Sequence, residues 1–174
     1  MRRRVQANAA SAHAARVDAA IAARDADALP TLLADDLEAV HHPTGAEHGR
    51  EGMLFSLRAL LKAQDSTCLH EPLATLGDSL GLYRMTVSAS GAGPASGPLF
   101  DWMPDIGAHQ FDQIILIEVD PHGRRRRSEV FAAERLGEAV ARLYERYADL
   151  LPDGPERARA AATARAGPSV RRSA

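Results

Sequence analysis

Cysteine, lysine and long apolar runs are what this chain of 174 residues has least of, and each shortage excludes a class of answer. With Cys68 alone, no intrachain disulfide can form and a cysteine-based zinc site is ruled out, so a reducing, cytoplasmic setting is expected. Nowhere do about 18 uncharged apolar residues follow one another, which removes a membrane-spanning helix. Arg2, Arg3 and Arg4 would suit a signal peptide, but Gln6, Asn8, Ser11, His13 and Arg16 interrupt the apolar stretch it would need. A formal charge of −2 provides no field for nucleic acid, although arginines gather at 2–4, 124–127 and 171–172. Lys62 is the only lysine, and the arginine and alanine bias concerns codon usage rather than function. No glycine-rich phosphate loop, Gly-x-Ser-x-Gly elbow or Cys/His nucleophile arrangement is present.

What is present is enough apolar content, 45% but much of it alanine, for one compact core within the usual size of a single domain. Ala10, Ala14, Val17 and Ile21 recur at steps of four and three and predict a helix over 5–24. Asp27 is placed to cap a short second helix whose first turn holds Pro30, where no N–H is needed. A strand over 37–42 follows, between Asp35-Asp36 and the turn formers Pro43 to Gly45. Met53, Leu57 and Leu60 mark a third helix over 50–64. Gly77, Asp78 and Ser79 join strands over 69–76 and 80–88 into a hairpin.

Residues 90–98 are all Gly, Pro, Ala or Ser and predict a loop, with order resuming at Phe100 and Trp102. A second hairpin runs from His109 to Phe131 and turns at 120–123. Leu136, Val140, Leu143 and Tyr147 then mark a helix, with Glu138 and Arg142 paired at i, i+4, ended by Pro152 to Pro155. The domain is expected to span 1–150, leaving 151–174 as a helical or disordered tail. The alanine spacing of 158–166 echoes that of 6–14, by chance or because the chain is one unit of a tandem array.

Helices, a strand, then long antiparallel hairpins make an α+β order, in which a curved sheet over helices leaves an open-mouthed cone. The passage from Ala23 to His42 resembles the helix-to-first-strand segment of SnoaL-like proteins, in the nuclear-transport-factor-2-like superfamily. Leu76 to Tyr83 and Ile114 to Phe131 are similar to its two hairpins, so the resemblance covers about 5–148. It implies a cone-shaped fold: a curved, mostly antiparallel sheet over N-terminal helices, plus a C-terminal helix. The family includes ketosteroid isomerases, polyketide cyclases and dehydratases beside binding and dimerisation domains, so fold alone does not select an activity.

Several residues are candidates for chemistry. Glu129 occupies the place where enzymatic relatives carry a pocket carboxylate; an apolar pocket would raise its pKa and suit it to proton transfer, as in ketosteroid isomerase, a standard case of carboxyl tuning. The plainer alternative is a glutamate paired with a neighbouring arginine on the solvent face. Alternation lets one of His41 and His42 face the pocket, and the resemblance favours His42. Asp112 and His109 share the long strand, His109 with Phe111 on one face and Asp112 on the other. Asp112 either acts in the pocket or sits at the exposed start of a doubly covered strand. Phe100, Trp102, Phe111 and Phe131 are core by default, with pocket wall or dimer surface as the alternatives, and Tyr83 is a candidate oxyanion partner.

His41, His42, His48 and Glu47 match no ligand spacing, so no metal and no cofactor are expected. Arg124 to Arg127 would alternate between faces on a solvated hairpin. The expected function is a small-molecule-binding or dimerisation accessory module. Its partners would be a small apolar molecule and a second copy or tandem neighbour, without nucleic acid or membrane. The alternative is an isomerase, cyclase or dehydratase acting on a small apolar carbonyl compound, with Glu129 as general base and His42 or Tyr83 at the oxyanion. A pure protein-association domain is the third class.

Overall fold

Asn8 decides where the chain becomes helical in the computed structural model, which describes residues 5–90 and 109–167. Its side chain accepts from the Ser11 N–H at 3.0 Å, while the Ser11 hydroxyl reaches back to the Asn8 N–H at 2.8 Å. This reciprocal cap starts helix α1 (Ala9–Ala22). Asn8 Nδ2 also donates to the carbonyls of Gly77 and Leu80, fastening α1 to the first hairpin. After α1 a single 3-10 turn, Leu29–Leu32, carries Pro30 near its start. The carboxylate that supports it is Asp25, which accepts from the N–H groups of Asp27 and Ala28, and not Asp27 as the sequence suggested.

Strand β1 (Leu33–His41) starts earlier than predicted, so Asp35 and Asp36 lie exposed within it rather than bounding it. The turn after it leads to a short strand, β2 (Ala46–Gly49), which periodicity did not reveal because it is half-exposed and only four residues long. Helix α2 (Arg50–Lys62) stops two residues short of expectation because β3 (Gln64–Leu76) begins at once. Then come β4 (Leu80–Ser90), β5 (His109–Val119), β6 (Arg125–Ala132), α3 (Leu136–Leu150) and α4 (Pro155–Ala166). The Phe100 and Trp102 expectations and most of the predicted loop lie outside the described residues.

The six strands form one sheet in the order β2-β1-β6-β5-β4-β3. All neighbours are antiparallel except β1 and β6, which run parallel. Both faces are covered. Ile115 and Ile117 join α1 and α2 in one apolar cluster, while Ile114 and Leu116 join Ala139 and Leu143 of α3 in another. That double cover explains the unbroken Ile114-Ile115-Leu116-Ile117 run, whose members are at most 2% exposed. Each such side chain contributes roughly 1.5–3 kcal/mol of transfer free energy.

The face under α3 also carries a buried ionic row. Glu118 meets Arg146 at 2.7 Å, and Glu129 meets Arg142 at 3.0 Å. Arg142 therefore pairs with Glu129 and Glu145, whereas Glu138 is taken by Arg135, so the expected Glu138–Arg142 pair does not form. Helix α4 lies against α3, with the Tyr147 hydroxyl donating to Glu156.

Candidate functional site

Between α1, α2 and the sheet lies an apolar pocket that opens to solvent on one side. Its apolar wall comes from Val17 of α1, Met53, Leu57 and Leu60 of α2, and Met85, Val87 and Ile115 of the sheet. Strand alternation decides which polar groups reach it. On β6, Ser128 and Val130 face the cavity; on β3, Cys68 and His70 do; on β5, Phe111 and Gln113 do.

Two sequence candidates are thereby placed on the opposite side. Glu129 points away from the cavity toward α3, sharing that face with Phe131. Its carboxylate accepts from Arg142 Nε at 3.0 Å and Arg127 Nε at 2.8 Å, with His42 Nε2 at 2.9 Å. Burial pushes the Glu129 carboxyl up, but those bonds outweigh it and hold it at about 2, the reverse of the raised value a neutral pocket acid needs. His42 is stacked on Phe131 at 4.4 Å between centroids and bonded to Glu129, so it too lies outside the cavity. His41 is the member of the pair that enters, because it lies opposite Val130 of β6 and shares its inward direction.

The remaining candidates divide as follows. His41 Nδ1 bonds Thr44 Oγ1 at 2.8 Å and its Nε2 meets Gln113 Nε2 at 3.1 Å; burial lowers its pKa. Asp112 is exposed on the other face and accepts from the Thr86 hydroxyl at 2.7 Å. Phe111 lines the cavity, whereas Tyr83 is packed in the core behind it with its phenol folded over Gly81. Burial raises the Tyr83 pKa. His109 pairs with Ala89 through the backbone at the start of β5.

One polar group on the cavity wall is one the sequence candidates omitted. His70 Nδ1 lies 2.6 Å from Asp18 Oδ1, and Asp18 Oδ2 accepts from the His70 backbone N–H at 3.0 Å. A carboxylate only accepts, so Nδ1 carries the proton and the neutral ring presents a bare Nε2. That Nε2 is buried and has no hydrogen-bond partner among the described residues. Burial lowers the His70 pKa, against the opposing pull of Asp18. The ring is therefore a neutral base, oriented by a carboxylate.

Beside it is Arg125, 3% exposed, whose Nε donates to His13 Nε2 at 3.1 Å. His13 is kept neutral, its pKa driven to about 2 by burial first and by Arg125 second. Cys68 Sγ, a donor nitrogen of His70 and an Asp18 oxygen lie within 4.8 Å of one another. A Cys/His/Asp cluster therefore exists where no motif announced one. Burial pushes the Cys68 thiol up to about 12, and the neighbouring guanidinium opposes a cation there. A metal-bound thiolate is disfavoured on both counts.

Periodicity held a signal for one of these residues: His13 sits beside the Ala10, Ala14, Val17, Ile21 stripe on α1 and is buried with it, while Asp18 is half-buried at its edge. No family model matches the chain, and no curated protein matches it in sequence. Solved structures do match. A Novosphingobium aromaticivorans protein described as having a cystatin fold superposes with a TM-score of 0.52 at 21% identity, over 72% of this chain and 99% of its own. A Pseudomonas putida protein named as a candidate polyketide cyclase gives 0.55 at 14%, over 75% and 95%.

The chain has the nuclear-transport-factor-2-like fold. A third structure with this cone, a Mycobacterium tuberculosis protein solved in complex with estradiol-17beta-hemisuccinate, gives 0.55 at 14%, over 71% and 93%. At these identities the likeness concerns architecture. Within the cone, His70 lines the pocket from the sheet and Asp18 of α1 holds its Nδ1.

Proposed function

We infer that this chain is an enzyme of the isomerase, cyclase or dehydratase type, moving a proton on a small, largely apolar carbonyl compound. The observation that carries this reading is His70: Nδ1 held by Asp18 at 2.6 Å, Nε2 bare, buried and unpartnered among the described residues, on the wall of an apolar cavity. In this scheme Nε2 takes the proton from the carbon next to the carbonyl, and Asp18 stabilises the imidazolium that results. The general base moves from Glu129, which is fully engaged by arginines under α3, to His70. Fold neighbours named for polyketide cyclisation, or holding an estradiol derivative, are in keeping with this substrate size. An accessory binding module would have no need of an oriented, unpartnered base.

The test is deuterium uptake from D₂O at the carbon next to the carbonyl, followed by mass spectrometry over a panel of small cyclic ketones and 1,3-diketones, each with and without a carboxylate. The wild type should exchange at least one of them well above buffer, and His70→Asn should lose roughly 10²–10⁴-fold of that rate. Exchange no faster than buffer across the panel, or full activity in His70→Asn, would remove the reading.

A further inference from the structure

Arg125 is a buried cation without an anion of its own. It forms no ion pair among the described residues, its Nη2 is buried with no hydrogen-bond partner there, and its one side-chain bond goes to a neutral imidazole. Asp18 acts on it only through space, without a hydrogen bond or ion pair to it. An uncompensated guanidinium 3% exposed is among the costliest groups a fold can retain. The remaining arginines of the same strand all have carboxylates: Arg126 pairs with Asp36 and Glu118, and Arg127 with Glu38 and Glu129. A shift in register places Arg125 on the cavity face. The β5–β6 pairing slips between Glu118 and Val119, so Arg125 joins Ser128 on the inward side instead of alternating outward. Ser128 Oγ, also lining the cavity, is likewise buried and without a hydrogen-bond partner among the described residues.

We propose that the ligand of this cavity is a carboxylic acid with an apolar body, its carboxylate held by Arg125 Nη2 and the Ser128 hydroxyl. A neutral carbonyl oxygen would occupy the donor but leave the charge uncompensated; a carboxylate does both, and the planar guanidinium fork matches it. The apolar wall from α2, β4 and β5 takes the rest of the molecule. The inference deepens the proton-transfer reading by naming the substrate class, and shares with it only the cavity.

The experiment measures binding of 2-naphthoate and of 2-naphthamide, equal in shape and different in charge, to the full chain by calorimetry at pH 7. The acid should bind the wild type at least tenfold more tightly than the amide. Arg125→Met should abolish that preference while melting no lower than the wild type without ligand, because it removes an unpaired charge. His70→Asn should keep the preference. No acid binding, equal binding of acid and amide, or a preference that survives in Arg125→Met would overturn the proposal. So would an Arg125→Met chain that melts well below the wild type, since the guanidinium would then serve the fold. If the preference holds and His70→Asn leaves deuterium exchange unchanged, the base assignment fails and the carboxylate site stands.

Discussion

Replacing Glu129 with Gln keeps the side chain's shape and removes its charge, and the geometry fixes what should follow. The carboxylate is 1% exposed and accepts from Arg142, Arg127 and His42. Its pKa falls from an ordinary 4.5 to about 2 in the folded chain, which corresponds to about 3 kcal/mol of native-state stability. That agrees with the low end of the roughly 3–5 kcal/mol expected for breaking a buried pair, as it should, because Arg142 and Arg127 are 29% and 22% exposed and partly screened. A depressed carboxylate stabilises above its unfolded pKa and loses that contribution as pH falls through the folded one. Urea unfolding should therefore show Glu129→Gln about 3 kcal/mol less stable than wild type at pH 7, with the gap closing between about pH 4.5 and 2. Ligand binding in the cavity should be unchanged. A variant of unaltered stability that has lost activity would refute the reasoning and restore Glu129 as a catalytic acid or base.

Three further outcomes follow from the packing. A Cβ at Gly81 would overlap the Tyr83 hydroxyl and lie 2.6 Å from its Cζ, so Gly81→Ala should cost roughly 1–3 kcal/mol in a thermal melt, and adding Tyr83→Leu should recover part of it. Cys68 is buried with its thiol raised to about 12; at pH 8 it should react with a disulfide reagent far more slowly in the native chain than in urea. Leu143 is 1% exposed in the cluster that seats α3 on the sheet, so Leu143→Ala should destabilise by about 2–5 kcal/mol in urea unfolding.

Periodicity revealed the elements whose burial is one-sided and regular: α1 from its alanine and valine stripe, α2 from its leucines, and both hairpins from their turn residues. It failed where tertiary contacts decide. Alternation required His41 and His42 to part, but which one enters the cavity depends on the parallel register of β1 against β6, a pairing between residues far apart in sequence. Glu129 and Phe131 do share a face, yet that face is the one α3 returns to cover, which no local pattern encodes. Arg125 was hidden because the slip in β5–β6 register breaks alternation at the one position where it mattered. His70 and Asp18 come from strands and helices 52 residues apart, and neither is unusual in its own segment.

The protonation state of His70 tests the central claim most directly. Nitrogen-15 NMR of the imidazole, with resonances assigned through a His70→Asn control, reads which ring nitrogen carries hydrogen. A neutral ring at pH 7 with Nδ1 protonated toward Asp18 and Nε2 bare is the predicted state. An imidazolium, or a proton resident on Nε2, would contradict it, because His70 could then accept nothing from a substrate.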